Sequence, residues 1–205
     1  MGRLVLLSDG LNTTVGLQLI KKQICEEKLK GKKIALFYEP YYSVEYSLVH
    51  ACQELGFDRK HIFIPMDANF GKRICKANYL YVTEGNTFEI LKILKEKGYV
   101  KPMKKAMDQG ATYIGASAGA IIAGKDILLA EDFDRNEVGL KENEMEALGL
   151  FEGTILPHCT KKELTNYMKT KDREVLSRYS KIYQVANGRI KVLDGIFGKS
   201  FIGRN

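Results

Sequence analysis

The sequence is poor in the residues that build metal centres and disulfide frameworks. It contains four cysteines with no C-x-x-C spacing among them, and three histidines, in 205 residues. Such cysteine usage is typical of reduced thiols in a cytosolic protein, so neither a disulfide framework nor a zinc site is expected. We therefore predict a chain that uses no metal and no cofactor.

Long apolar runs are also missing. No segment approaches the roughly 18 apolar residues that a membrane-spanning helix needs. The first ten residues, MGRLVLLSDG, lack the longer apolar core and the small-residue cleavage site of a signal peptide. We predict that Leu4–Leu7 forms a buried strand, that the protein is cytoplasmic, and that it has no membrane partner.

The charge balance is basic, with 32 Lys and Arg against 25 Asp and Glu and a net charge of +7. A basic excess of this size would suit a nucleic-acid-binding protein. The lysines are spread over several predicted helices, however, and no recognised nucleic-acid-binding module accompanies them. We predict a solvated basic surface and no nucleic-acid partner.

The order of elements predicts an α/β fold with a mainly parallel, doubly wound sheet and helices on both faces. Short apolar runs alternate with helical patterns, as in chains that build parallel sheets. The predicted strands are Leu4–Leu7, Lys33–Tyr38, His61–Pro65, Tyr79–Val82 and Ala111–Ile114. Without internal repeats or linkers, residues 1–205 are predicted to form a single domain, as a monomer or homodimer.

The last third of the sequence changes character. Lys161–Tyr179 has the pattern of a polar, basic helix. Asn187-Gly188 and Asp194-Gly195 are dipeptides that favour β-hairpin turns. We therefore predict antiparallel hairpin strands at the C-terminus that complete one edge of the sheet.

One segment carries a pattern of catalytic chemistry. The strand Ala111–Ile114 runs into Gly115-Ala116-Ser117-Ala118-Gly119, a Gly-x-Ser-x-Gly sequence followed by a helical start. A strand–turn–helix of this kind is a nucleophile elbow, in which small neighbours permit a strained turn and backbone N–H groups favour an oxyanion. The structural alternative is a glycine-rich turn that lets the helix approach the sheet closely.

A serine nucleophile needs a base, and His158 is the best placed of the three histidines. It follows a short strand and Pro157, so it would lie at the carboxyl end of a strand, where active-site groups of parallel sheets collect. His50 lies inside a helical pattern and His61 opens a strand. The orienting carboxylate stays open at this point, because several acidic residues follow the serine: Asp126, Glu131, Asp132, Asp134 and later glutamates.

These residues together resemble a known family. Gly85-Asn86-Thr87, the Ser117 elbow and Pro157-His158 occur in the order and spacing of the peptidase E family of serine peptidases, which also includes cyanophycinase. The resemblance covers nearly the whole chain and implies a fold similar to class I glutamine amidotransferases. It implies a serine exopeptidase or dipeptidase that acts on small peptides through an acyl-enzyme. Peptidase E itself cleaves dipeptides that have an N-terminal aspartate.

The resemblance also implies roles for individual residues. Ser117 would be the nucleophile, His158 the general base, and Asp132, fifteen residues after the serine, the third member of the relay. Gly85 and Ala118 would donate the oxyanion hydrogen bonds. Arg173 would bind the carboxylate of an acidic substrate, a role for which Lys161, Lys162 and Arg178 are also available.

One departure favours a second hypothesis. The family loop typically reads Gly-Gly-Gly-Asn-Thr, whereas this chain has Thr83-Glu84-Gly85-Asn86-Thr87. A carboxylate from Glu84 beside an oxyanion site would oppose catalysis if it pointed inward. The alternative is therefore a non-catalytic member of the same fold that binds a peptide or small molecule.

Overall fold

The computed structural model describes residues 2–24, 29–39 and 42–194. The elements of these residues alternate between strands and helices over most of the chain. In chain order they are β1 (Arg3–Leu7), α1 (Thr14–Ile24), β2 (Ile34–Phe37), α2 (Tyr42–Leu55), β3 (Ile62–Phe63), α3 (Phe70–Ile74), β4 (Tyr79–Val82), α4 (Thr87–Glu96), α5 (Val100–Asp108), β5 (Thr112–Ala116), α6 (Ala118–Ile122), β6 (Thr154–Pro157), α7 (Lys161–Thr170), α8 (Arg173–Ser177), β7 (Ile182–Val185) and β8 (Ile190–Asp194).

The main sheet has six strands in the order β3-β2-β4-β5-β1-β8. Its first five strands pair in parallel, and β8 pairs antiparallel with β1 at the edge. Helices cover both faces, which confirms the predicted mainly parallel, doubly wound sheet. The carboxyl ends of β4, β5 and β1 lie side by side, so the loops that follow them meet at one place.

Successive side chains of the central strands enter two different cores. In β1, Leu4 and Leu6 pack with α3 to α6, whereas Val5 and Leu7 pack with α1 and α2. Both faces are buried, which explains why these strands have continuous apolar sequences instead of an alternating pattern.

The C-terminal strands differ from a simple hairpin. The antiparallel edge strand that the sequence predicts is β8, but its partner is β1, while β7 pairs in parallel with β6 in a separate two-stranded sheet. Asn187-Gly188 therefore connects two sheets. The second predicted turn, at Asp194-Gly195, extends outside the described residues.

The predicted helix over residues 161–179 is divided into α7 and α8. Lys171 has extended dihedral angles, with φ −76° and ψ 146°, and Asp172 caps α8 by accepting a hydrogen bond from the Glu174 N–H at 2.7 Å. A search of the described residues finds no helix that is long and apolar enough to cross a membrane.

Candidate active site

Ser117 lies on a strained turn between β5 and α6. Its φ of 47° and ψ of −108° are unfavourable for a residue with a side chain. A Cβ atom on Gly119 would lie 2.2 Å from the carbonyl oxygen of Val82, and one on Gly115 would lie 2.5 Å from the carbonyl oxygen of Gly119. The glycines thus let α6 pack directly on the sheet, and that close packing holds Ser117 at the turn.

The Ser117 hydroxyl contacts the imidazole of His158. Ser117 Oγ and His158 Nε2 are 3.0 Å apart, within the range of a hydrogen bond. His158 directly follows β6 and also has a left-handed backbone, with φ 55°. The structure therefore brings together the nucleophile and the base that the sequence predicts, with the imidazole exposed to solvent.

The other nitrogen of the imidazole contacts an asparagine. His158 Nδ1 lies 2.6 Å from Asn187 Oδ1. An amide oxygen accepts a hydrogen bond, so this contact selects the tautomer that carries its proton on Nδ1 and leaves the Nε2 lone pair facing Ser117. The sequence predicts only a turn at Asn187-Gly188, and nothing in that dipeptide indicates a contact with His158.

Asp132, the predicted third member of the relay, does not contact His158 in the structure. Its carboxylate accepts a hydrogen bond from the Tyr167 hydroxyl at 2.5 Å and pairs with Lys171 Nζ at 2.7 Å. The spacing of fifteen residues between Ser117 and Asp132 does not predict that Lys171, at the end of α7, pairs with this carboxylate. Both ring nitrogens of His158 have other partners.

The alternative carboxylates are also engaged elsewhere. Asp134 accepts from the Thr87 N–H at 3.0 Å and from the Thr87 hydroxyl at 2.5 Å, at the start of α4. Asp126 accepts from the Tyr179 hydroxyl and from the Leu128 N–H. Glu131 is exposed. The geometry therefore favours Asn187 over each of the acidic candidates as the group that orients His158.

A buried serine at the end of β1 fixes the backbone of His158. Ser8 is fully buried, and its hydroxyl donates to the Val185 carbonyl at 2.6 Å while accepting from the His158 N–H at 2.9 Å. One hydroxyl thus joins the ends of β1, β6 and β7. The adjacent Asp9 carboxylate accepts from the Gly188 N–H at 2.7 Å and holds the loop that carries Asn187.

We expect Ser8→Ala to impair both stability and turnover. Without the hydroxyl, the buried Val185 carbonyl and His158 N–H lose a partner, which should lower the free energy of unfolding by about 1–3 kcal/mol. The base would also lose an anchor, and kcat should fall by about 10- to 100-fold with little change in KM. Chemical denaturation and steady-state kinetics measure the two effects.

Thr154→Val is a matched control for this experiment. Thr154 is also fully buried, but its Oγ1 has no hydrogen-bond partner within the described residues. Removing that hydroxyl should be neutral or stabilising and should leave kcat unchanged. Equal losses in the two variants would contradict a specific role for Ser8.

The loop after β4 lies beside the elbow, because the Gly119 N–H donates to the Thr83 carbonyl at 3.1 Å. Gly85 has a φ of 138°, a conformation that only glycine adopts easily. A Cβ on Gly85 would lie 2.5 Å from Glu39 Oε1, and that carboxylate accepts from the Asn86 N–H at 2.5 Å. Burial raises the pKa of the Glu39 carboxyl, against the opposing effect of the Asn86 N–H.

The two predicted oxyanion donors lie on this loop and on the elbow. Ala118 is the first residue of α6, where the backbone N–H has no acceptor within the helix. Glu84, the residue that departs from the family pattern, is the acceptor of a hydrogen bond from the Asn12 side chain in the loop after β1. The role of Gly85 and Ala118 as donors stays a prediction.

Arg173, the predicted substrate-binding cation, is exposed at the start of α8. It is absent from the cleft beside Ser117, a cavity of about 520 Å³. Arg178, another candidate, pairs with Glu142 at 2.6 Å. The local excess of basic residues after His158 is therefore partly neutralised by neighbouring carboxylates.

The thiol beside His158 is not a competing nucleophile. Cys159 is buried, and burial raises the pKa of its thiol, with Glu163 adding to the effect. Cysteine is reactive as the thiolate, so this environment disfavours the reactive form of Cys159. The described residues contain no group of three or more His, Cys, Asp or Glu side chains that could hold a metal ion.

Comparisons with known proteins identify the family of the chain. The pattern of peptidase family S51 matches residues 34–195. An uncharacterized peptidase of Listeria monocytogenes is 32% identical over 118 residues, covering 56% of each chain. Peptidase E of Salmonella typhimurium is 40% identical over 85 residues, which are 42% of this chain and 35% of that protein.

Two solved structures share the fold. A crystal structure assigned to peptidase E from Listeria monocytogenes has a TM-score of 0.66 at 24% identity, covering 94% of this chain and 98% of the other. A peptidase from an acI-B1 actinobacterium has a TM-score of 0.62 at 14% identity, covering 94% and 83%. The chain spans about half the length of the first two curated relatives it matches. The match to the family S51 pattern nevertheless extends over residues 34–195, a range in which Ser117, His158 and Asn187 all lie. The chain therefore belongs to peptidase family S51.

Proposed function

We propose that the protein is a serine peptidase that hydrolyses small peptides through Ser117, His158 and Asn187. The observation that carries the proposal is the pair of contacts made by one imidazole, at 3.0 Å to the Ser117 hydroxyl and at 2.6 Å to the Asn187 amide oxygen. A nucleophile, a base and an orienting group arranged in this way are the functional unit of serine and cysteine peptidases.

The first half of the reaction follows from this geometry. His158 Nε2 takes the Ser117 proton as Oγ attacks the scissile carbonyl carbon, and the carbonyl oxygen becomes an oxyanion. The N–H of Ala118 and the loop at Gly85 are the nearest candidates to stabilise it. The imidazolium then gives its proton to the leaving amine as the C–N bond breaks, which leaves an acyl-enzyme on Ser117.

The second half releases the product. His158 removes a proton from water as the water oxygen attacks the acyl carbon. The bond between that carbon and Ser117 Oγ then breaks, Oγ takes the proton from the imidazolium, and the product leaves as a carboxylic acid. Asn187 is neutral, so it orients the ring without adding a countercharge to the imidazolium. The same combination of histidine and asparagine serves papain-like cysteine peptidases.

The aspartate preference of peptidase E requires a cation that meets the substrate carboxylate. Arg173 does not line the cleft, and no other described Lys or Arg lines it. The described residues therefore support a peptidase without supporting that preference.

Labelling with a fluorophosphonate tests the proposal directly. An activated serine attacks phosphorus and expels fluoride, so we expect one adduct, on Ser117, when the intact and digested protein is analysed by mass spectrometry. Ser177, an exposed serine on α8, serves as an internal control because its hydroxyl only donates to the Glu174 carbonyl. Absence of an adduct on Ser117 would overturn the proposal in favour of a non-catalytic binding protein.

A further inference from the structure

The cleft beside Ser117 has largely apolar walls. Ile121 and Leu156 contribute aliphatic side chains, and Phe133 and Tyr167 contribute two aromatic rings. The rings are stacked, with centroids 6.2 Å apart and an angle of 28° between their planes. A cavity of about 520 Å³ bounded by such surfaces suits an apolar side chain of the substrate.

Phe133 is unusual among the apolar residues because 54% of its surface is exposed. Exposed large apolar side chains on a monomer often mark a binding site when they border a pocket. Phe133 borders the cleft, and its ring is held in place by Tyr167, whose hydroxyl is in turn fixed by Asp132. The rim of the cleft therefore presents an aromatic face.

The charges around the cleft are unfavourable for an acidic substrate. The described residues that line it include two carboxylates, Asp134 and Glu163, and neither lysine nor arginine. Hydrogen bonds from the Thr160 hydroxyl and N–H lower the pKa of the Glu163 carboxyl, so it is ionised at neutral pH. The nearby Lys171 is already paired with Asp132 at 2.7 Å.

An aspartate side chain in this cleft would thus meet like charges without a cation to offset them. The two carboxylates also have their own partners, Asp134 at Thr87 and Glu163 at Thr160, so they do not need a cationic ligand. What is left for a substrate is the apolar surface between Phe133, Tyr167 and Leu156.

We propose that the cleft binds an uncharged aromatic side chain of the residue that supplies the scissile carbonyl, and that it rejects an acidic one. The inference rests on the proposed function for its placement beside Ser117. The aromatic side chain would pack against the face of Phe133 and displace water from the apolar walls.

Binding to the Ser117→Ala variant tests the preference without requiring turnover. Calorimetry with the dipeptides Phe-Ala, Asp-Ala and Arg-Ala should give an affinity for Phe-Ala at least about tenfold higher than for the other two. Equal or tighter binding of Asp-Ala would overturn the inference. Tighter binding of Arg-Ala would overturn it as well, because the carboxylates would then dominate recognition.

This experiment separates the inference from the proposed function. Fluorophosphonate labelling of Ser117 with a preference for Asp-Ala would leave the peptidase proposal standing and remove the aromatic one. A preference for Phe-Ala without any labelling of the wild-type protein would do the reverse, since the cleft would then be a binding site.

Two variants locate the preference in named side chains. Phe133→Ala should lower the affinity for Phe-Ala about fivefold and leave the affinity for Asp-Ala unchanged. Glu163→Gln removes a charge but keeps an acceptor for Thr160. It should raise the affinity for Asp-Ala about threefold and leave the affinity for Phe-Ala unchanged. Tyr46→Ala, at an aromatic residue 76% exposed on the opposite face of the sheet, should change neither affinity. Unchanged affinities in both cleft variants would contradict the assignment.

Discussion

Replacing Ser117 by alanine should lower kcat/KM for peptide hydrolysis by at least about 10³-fold. In the proposed mechanism the hydroxyl oxygen forms the acyl bond, and within the described residues the ring nitrogens of His158 contact only Ser117 Oγ and Asn187 Oδ1. Residual hydrolysis would come only from water held near the oxyanion donors. The loss should appear in kcat, because the apolar side chains proposed to bind the substrate are unchanged.

The same variant should stay folded. The Ser117 hydroxyl contacts a solvent-exposed imidazole, and its loss leaves no buried group without a partner. Alanine must adopt the same positive φ as serine, so the backbone strain at the turn should not change. Thermal unfolding of wild type and variant should therefore coincide, and Ser177→Ala should show full turnover as a matched control. Unchanged turnover in Ser117→Ala, with a peptide that the wild type cleaves, would exclude Ser117 as the nucleophile.

Replacing Asn187 by alanine should lower kcat by about 10²-fold. Without the amide oxygen, the imidazole is free to rotate and to carry its proton on Nε2, where it cannot act as a base toward Ser117. KM should change little, since Asn187 lies behind the imidazole and does not line the cleft.

Asn187→Asp should rescue much of this loss and change the pH dependence. A carboxylate still accepts from Nδ1, but its charge favours the protonated imidazole. The base must be neutral to accept the Ser117 proton, so the acidic limb of the kcat/KM profile should move to higher pH. A full profile for the wild type, Asn187→Ala and Asn187→Asp gives the comparison.

Gln53→Glu is a charge control for Asn187→Asp, because it adds one negative charge at an exposed position of α2 on the other face of the sheet. Its profile should match that of the wild type. An identical shift in both variants would show that net charge, and not contact with Nδ1, moves the profile. Full activity in Asn187→Ala would remove Asn187 from the catalytic unit.

Local sequence predicts the elements that position the site well. The bounds of β4 agree with the predicted segment Tyr79–Val82, and the elbow at Ser117 follows from small residues between a strand and a helix. These features depend on neighbours in the chain, through apolar periodicity and the steric demand of a tight turn. His158 was found for the same reason, since a strand and a proline precede it.

The third member of the relay could not be found in this way. Asn187 meets His158 only because β7 pairs with β6 and β8 pairs with β1, and a pattern of alternating residues does not state which strands pair. The prediction of Asp132 rests on its spacing from Ser117 in the family, and that spacing does not reveal that Lys171 pairs with the Asp132 carboxylate. Arg173 likewise lies in a basic segment that is predicted as one helix. In the structure the segment is divided into α7 and α8 at Lys171, and Arg173 does not line the cleft.

The hydrogen bonds of Ser8 and Asp9 have a consequence for when the site can assemble during synthesis. Ser8 and Val185 are 177 residues apart in the chain, and Asp9 and Gly188 are 179 apart. During synthesis Ser8, Ser117 and His158 all emerge before Val185 and Gly188, so the reactive groups are present before the contacts that align them can form. The contacts among Ser117, His158 and Asn187 therefore cannot all form until β7 and the loop that carries Asn187 have been synthesised.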